Sequence, residues 1–252
     1  LPVTGAGAQT SNVITGRTES IITGGSDVFA DAEGSVELTA LDENTIVSDA
    51  GGLSVGITLD GSGVVFGAAL ATNTVEKAVS AEIESPAGIT PRTKVHGTGN
   101  VKLDARSETD VLSIAVGIKG ALTGGDGPSF SVAGAGMAVI NTIDVDVNAT
   151  ISGGEITADG GVILSAVDDL TISATAGTAL AAFNSGMVAA SIGAALALNI
   201  VENTVESTVR DAATIVAQTF TSTASAEGET TAVAAALSGA FNSGEALSIA
   251  LT

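Results

Sequence analysis

Asp168 and Asp169 are the nearest this sequence comes to a catalytic pair. Two carboxylates side by side are the raw material of glycoside hydrolysis, one protonating the leaving oxygen and the other attacking or activating water. Yet the equivalent positions in neighbouring stretches read Asp42-Glu43 and Ser107-Glu108, so acidic strand ends look like a repeated structural habit. The sole histidine, His96 in TKVHGTGN, falls where a turn is expected and reads as a surface side chain. No GxSxG elbow, HExxH helix or phosphate loop is present, so the expectation is a protein that is not an enzyme. A solenoid glycoside hydrolase is the enzymatic alternative, and a lyase for acidic sugars would need more basic residues to neutralise its substrate.

A second set of candidates comes from spacing. Asn12, Asn73, Asn141 and Asn199 each open a similar segment, at intervals of 61, 68 and 58 residues. Three residues after the anchors stand Glu76, Asp144 and Glu202, with Thr15 in the first segment. If the segments stack as single coils, these carboxylates lie about 4.8 Å apart along the axis, where Ca²⁺ is the cation that would relieve their repulsion. A solvated acidic face, each side chain splayed into water, is the competing reading. The glycine-rich calcium repeat of nine residues is absent, and no other cofactor is implied. Asn148-Ala149-Thr150 matches a glycosylation sequon, and Thr219 with Thr221-Ser222-Thr223 is a short, unrepeated threonine row.

The elements that must position these residues are strands. Ten residues after each anchor comes a β-branched aliphatic: Ile22, Ile83, Ile151 and Val209. A turn, a short strand, a polar tip and an Ala/Gly/Ser-rich apolar run then lead to the next anchor. In NTIDVDVNATI the residues Ile143, Val145, Val147, Ala149 and Ile151 share one face, and Asp144, Asp146, Asn148 and Thr150 the other. That is the period of a strand with one wet face. Ala-rich runs such as VAASIGAALAL are apolar on both faces, as in strands covered on both sides. Turns are expected at Gly24-Gly25, Gly153-Gly154 and Gly160-Gly161.

One stretch tests that reading. TALAAFNSGMVAASIGAALALNIV, residues 178–201, has no charge and the length of a membrane-spanning helix. Its counterparts before Asn73 and Asn141 are short and bounded by turns, and Asn184-Ser185-Gly186 interrupts it at the same place. It therefore reads as two buried strands joined by a turn, with no membrane insertion.

Composition agrees with a repetitive strand structure. Apolar residues make up 45% and aromatics 2%, with no Trp, Tyr or Cys and 32 Gly, so Ala, Val, Ile and Leu must fill the interior. Eight basic against 28 acidic residues give a formal charge of −20, which excludes nucleic acid as a partner. The LPVTG at residues 1–5 fits a sortase pattern, but with neither an apolar segment nor a basic tail behind it, it reads as chance.

The expected fold is all-β: a parallel β-solenoid of about four repeats averaging 63 residues, forming one repeat domain over 1–252. The approximate repeats are 1–63, 64–127, 128–186 and 187–244, with the start of a fifth at 245–252. Each repeat is either one large flattened coil or two to three smaller ones. The Asn anchors either stack as a hydrogen-bonded ladder or serve turns and bulges. An irregular β-sandwich is the competing fold.

The pieces Ala138 to Ile143 and Ile156 to Ala166, within SVAGAGMAVINTIDVDVNATISGGEITADGGVILSAVDD, carry a cadence that resembles repeats of giant bacterial surface proteins, the filamentous-haemagglutinin-like and leukotoxin-like adhesins. The resemblance covers all four repeats, best in the third and weakest in the first. It implies a secreted, cell-surface β-solenoid. The expected role is a structural segment of a stalk, fibre or surface layer, whose partners are copies of itself, head-to-tail and laterally. The alternative is an adhesin segment binding a surface glycan or host protein.

Overall fold

The computed structural model describes every residue except 1, 89, 126 and 212. Leu1 of the LPVTG stretch thus lies outside the described residues. The chain is a parallel β-solenoid with one coil per repeat. In the first coil β1 (Val3–Ile22), β2 (Asp27–Ala30) and β3 (Val36–Thr58) follow one another, long, short and long. The second coil is β4 (Gly63–Glu84), β5 (Lys94–Gly97) and β6 (Val101–Thr123), and the third is β7 (Phe130–Ser152), β8 (Glu155–Ala158) and β9 (Gly161–Asn184). β10 (Val188–Arg210), β11 (Thr214–Val216) and β12 (Thr219–Asn242) form the fourth, and β13 (Glu245–Leu251) continues beyond it.

Three parallel sheets run along the axis, in the orders β1-β4-β7-β10-β13, β2-β5-β8-β11 and β3-β6-β9-β12. Pairing is in register over whole strands: Asn12 opposes Asn73, Asn73 opposes Asn141, and Asn141 opposes Asn199. The unequal repeat spacings are absorbed in the corner loops. Residues 85–93 join β4 to β5, whereas Gly153-Gly154 alone join β7 to β8. At φ of 72° and 84°, these two glycines take a left-handed turn that a Cβ would strain. Gly24 and Gly25 make the equivalent turn in the first coil.

Side-chain size shapes the cross-section. Near the short sheet, Ile83, Ile151, Val95, Ile156, Leu103 and Leu164 fill the space between the two long sheets. Towards the opposite corner the core is Ala50, Ala69, Ala71, Ala115, Ala174 and Ala176, around Met137 and Val139. The two long sheets therefore converge into a thin blade. A Cβ on Gly56 would sit 2.6 Å from Val65 Cγ2, so the close approach needs glycine there.

Several expectations change. The polar positions Asp42, Ser107 and Asp168 are not strand ends; they lie in mid-strand in β3, β6 and β9, in one register column that points inward. A coil needs fewer turns than polar tips suggest, because a polar interior pairs those tips instead of exposing them. His96 is not in a turn: it lies on β5, its ring stacked on Phe29 of the coil before at 4.7 Å. The run VAASIGAALAL is covered on one face only. Ala189, Ser191 and Ala195 are buried, while Ile192, Leu196 and Leu198 face outward and are exposed. Residues 178–201 are the end of β9 and the start of β10 joined by a turn, and no helix among the described residues is long and apolar enough to cross a membrane.

Candidate functional site: the interior polar column and the outer faces

The four anchors form a continuous amide ladder. Asn12 Nδ2 donates to Asn73 Oδ1 at 2.8 Å, Asn73 Nδ2 to Asn141 Oδ1 at 2.7 Å, and Asn141 Nδ2 to Asn199 Oδ1 at 2.9 Å. In-register parallel pairing repeats each amide at the strand spacing, about 4.8 Å, which is the distance at which one side-chain amide reaches the next. The ladder is braced from the facing sheet: Asn73 Nδ2 also donates to Ser113 Oγ at 2.6 Å, and Ser113 Oγ donates to Asn141 Oδ1 at 2.8 Å. Asn199 Nδ2 ends the run on the Thr231 carbonyl at 3.0 Å. Asn73 and Asn141 are buried at 1% and 0% exposure, so an unpaired amide there would carry the full cost of desolvation.

Beside the ladder lies a second polar layer, which sequence reading missed because its members are not alike. Lys77 Nζ reaches inward to Asp42 Oδ1 at 3.1 Å, with both side chains largely buried. Thr18 Oγ1 and Asn44 Nδ2 donate to the same carboxylate. Two coils further on, Asn203 Nδ2 donates to Asp168 Oδ2 at 2.5 Å. Burial holds the Asp168 carboxyl above its ordinary range, against the lowering by Asn203 and Ser107. The only available signal was period two: Lys77 and Asn203 fall on inward positions of their strands.

Lys119 is a further buried charge, 1% exposed inside the thin blade. Its Nζ donates to the Ala6 carbonyl at 3.4 Å and forms no ion pair among the described residues. A Cβ on Gly67 would fall 2.0 Å from Lys119 Cε, so this lysine occupies room that a glycine leaves. Burial pushes its pKa down.

Glu76, Asp144 and Glu202 stand opposite one another in consecutive coils, with Thr15 above them, and all three are exposed. Among the described residues no group of three or more His, Asp or Glu has the geometry to hold a metal ion. The sequon residue Asn148 lies within β7, where Thr150 is buried and pairs with Thr208. Thr219, Thr221 and Thr223 are stacked on Gly161, Ile163 and Ser165, so no threonine array forms along the axis.

Charge and apolarity are separated within each coil. Between the mid-strand region and the blade corner, the described residues of the eight long strands carry two charges, the inward Lys119 and the outward Asp49. The outer faces there are apolar and exposed, with Leu53 at 68%, Ile118 at 61% and Leu237 at 70%. No protein-family model, curated protein or solved structure matches the chain.

Proposed function

We propose that this chain is a structural, non-catalytic segment of a bacterial cell-surface β-solenoid, part of a stalk, fibre or surface layer that continues by end-to-end association. One observation carries the reading. In all three sheets each coil pairs parallel and in register with the next, so the backbone edge a coil presents along the axis is the edge its neighbour fits. Parallel edges in matching phase template further coils. Backbone ladders and the Asn ladder carry load along the axis, while acidic residues near the short sheet keep the assembly hydrated. Calcium at the Glu76, Asp144 and Glu202 column is the cation this reading admits.

A second reading, a segment binding a glycan or host protein, is favoured by one feature. The long 85–93 loop borders a polar cleft of about 630 Å³ lined by Glu84, Ser85, Thr90, Arg92, Ser152 and Asp211. Negative-stain microscopy of the purified chain, with calcium and with a chelator, separates the two. Rods longer than one chain support end-to-end assembly, and loss of rods in chelator assigns the acidic column to the metal. Discrete short particles in both conditions sink the assembly reading and bring the cleft forward.

A further inference from the structure

The outward face of the β3, β6 and β9 blade, continued on β12, is built of alternating ridges and grooves. In register, Leu53, Ile118, Ala179 and Leu237 form one column, and Ile57, Leu122, Phe183 and Phe241 another. Phe183 and Phe241 stack at 4.9 Å along the second ridge. Beside and between these ridges run the columns Gly51, Val116, Gly177, Ala235 and Val55, Gly120, Ala181, Gly239. The columns are successive outward positions, so ridge and groove lie about 6.7 Å apart. The outer face of the β4, β7 and β10 blade is also apolar, but its large residues are scattered: Phe66 covers Gly134 of the next coil, and Gly5 lies above it.

Resting on the self-association reading, we infer that the ridged face is a lateral docking surface for a second copy of this chain, packed as a dry zipper. The column pattern is self-complementary under one twofold operation. Let the axis run parallel to the solenoid axis, midway between the columns of Ile118 and Gly120. The Ile118 column of each copy then falls on the Gly120 column of the other, and the Leu122 column on the Val116 column. Large meets small at Ile118 over Gly120, Phe183 over Gly177 and Leu237 over Gly239; Val55 and Val116 are the bulky exceptions. An isologous contact of this kind closes with two copies. Four strands at about 4.8 Å and four columns at about 6.7 Å give a flat footprint of roughly 500 Å² per copy. Two copies bury about 1,000 Å², where specific interfaces begin, and each added coil enlarges the contact. A micromolar dimer is the expected strength for four coils.

Gly120 provides the decisive variant. A Cβ there meets nothing within 4 Å in the coil, so Gly120→Ile suits the strand and makes the surface more apolar. In the zipper the new side chain occupies the groove that the other copy's Ile118 needs. Sedimentation equilibrium of the wild type, Gly120→Ile and Ile118→Lys, with circular dichroism to check the fold, reads the outcome. Dimerisation in the wild type, weakened at least about tenfold by each variant, is the expected result. A wild-type monomer overturns the proposal. A dimer lost in Ile118→Lys but kept or strengthened in Gly120→Ile is unspecific apolar contact and overturns the zipper. Rods of single-solenoid width under the microscope would leave end-to-end assembly standing while this inference fails.

Discussion

Replacing Asn141 with alanine tests the ladder at its most enclosed rung. The side chain accepts from Asn73 Nδ2 at 2.7 Å and from Ser113 Oγ at 2.8 Å, and donates to Asn199 Oδ1 at 2.9 Å. Asn141→Ala removes all three bonds. Asn73 Nδ2 keeps Ser113 Oγ, but the Ser113 hydroxyl loses its acceptor in a buried site, and Asn199 Oδ1 loses its donor where water can reach it. At a net ~1 kcal/mol per bond, the expected destabilisation is about 3 kcal/mol. Asn12→Ala is the internal control: it deletes one bond, from the half-buried end rung to the buried Asn73 Oδ1, and is expected to cost about 1–2 kcal/mol. Urea unfolding followed by circular dichroism measures both as midpoint shifts, and an unchanged slope shows that the cooperative unit is the same. A cost for Asn141→Ala no greater than that for Asn12→Ala would refute the claim that the ladder, rather than backbone pairing alone, stabilises the stack.

Three further outcomes follow from the buried charges. Lys77→Met strands Asp42 with only its Thr18 and Asn44 donors and is expected to cost about 3 kcal/mol; adding Asp42→Asn should recover most of that, measured by the same urea series. Lys119 has a folded pKa below its ordinary 10.5, so the unfolded chain binds more protons and stability rises as pH climbs towards 10.5; Lys119→Met should remove that rise in urea midpoints taken across the alkaline range. Asp168 has a folded pKa above 3.8, so the folded chain binds more protons and its contribution is present in acid and lost as pH rises through the folded value. Asp168→Asn should flatten that loss, seen as a smaller fall in thermal midpoint between acid and neutral pH.

The sequence alone determined the strand period, the repeat phase and the equivalence of the four Asn anchors. Those follow from local rules: alternation decides which side chains share a face, and in-register stacking brings like residues together, so an Asn every repeat marks one column. That the column is a hydrogen-bonded ladder and not a set of turn or bulge residues was decided by the fold. The single coil per repeat, the inward column of Asp42, Ser107 and Asp168 and the place of His96 on a strand were decided by tertiary structure. Sequence shows which residues share a face but not what lies across the interior, so the pairing of Lys77 with Asp42 and of Asn203 with Asp168 depends on which strands face one another. The same holds for the two-sided apolar runs. An apolar run reports that both faces avoid water, yet only the packed coil shows that one face is met by the opposite sheet and the other by nothing among the described residues. The ridges and grooves on that open face arise because stacking turns residues about 60 apart in sequence into columns about 4.8 Å apart in space.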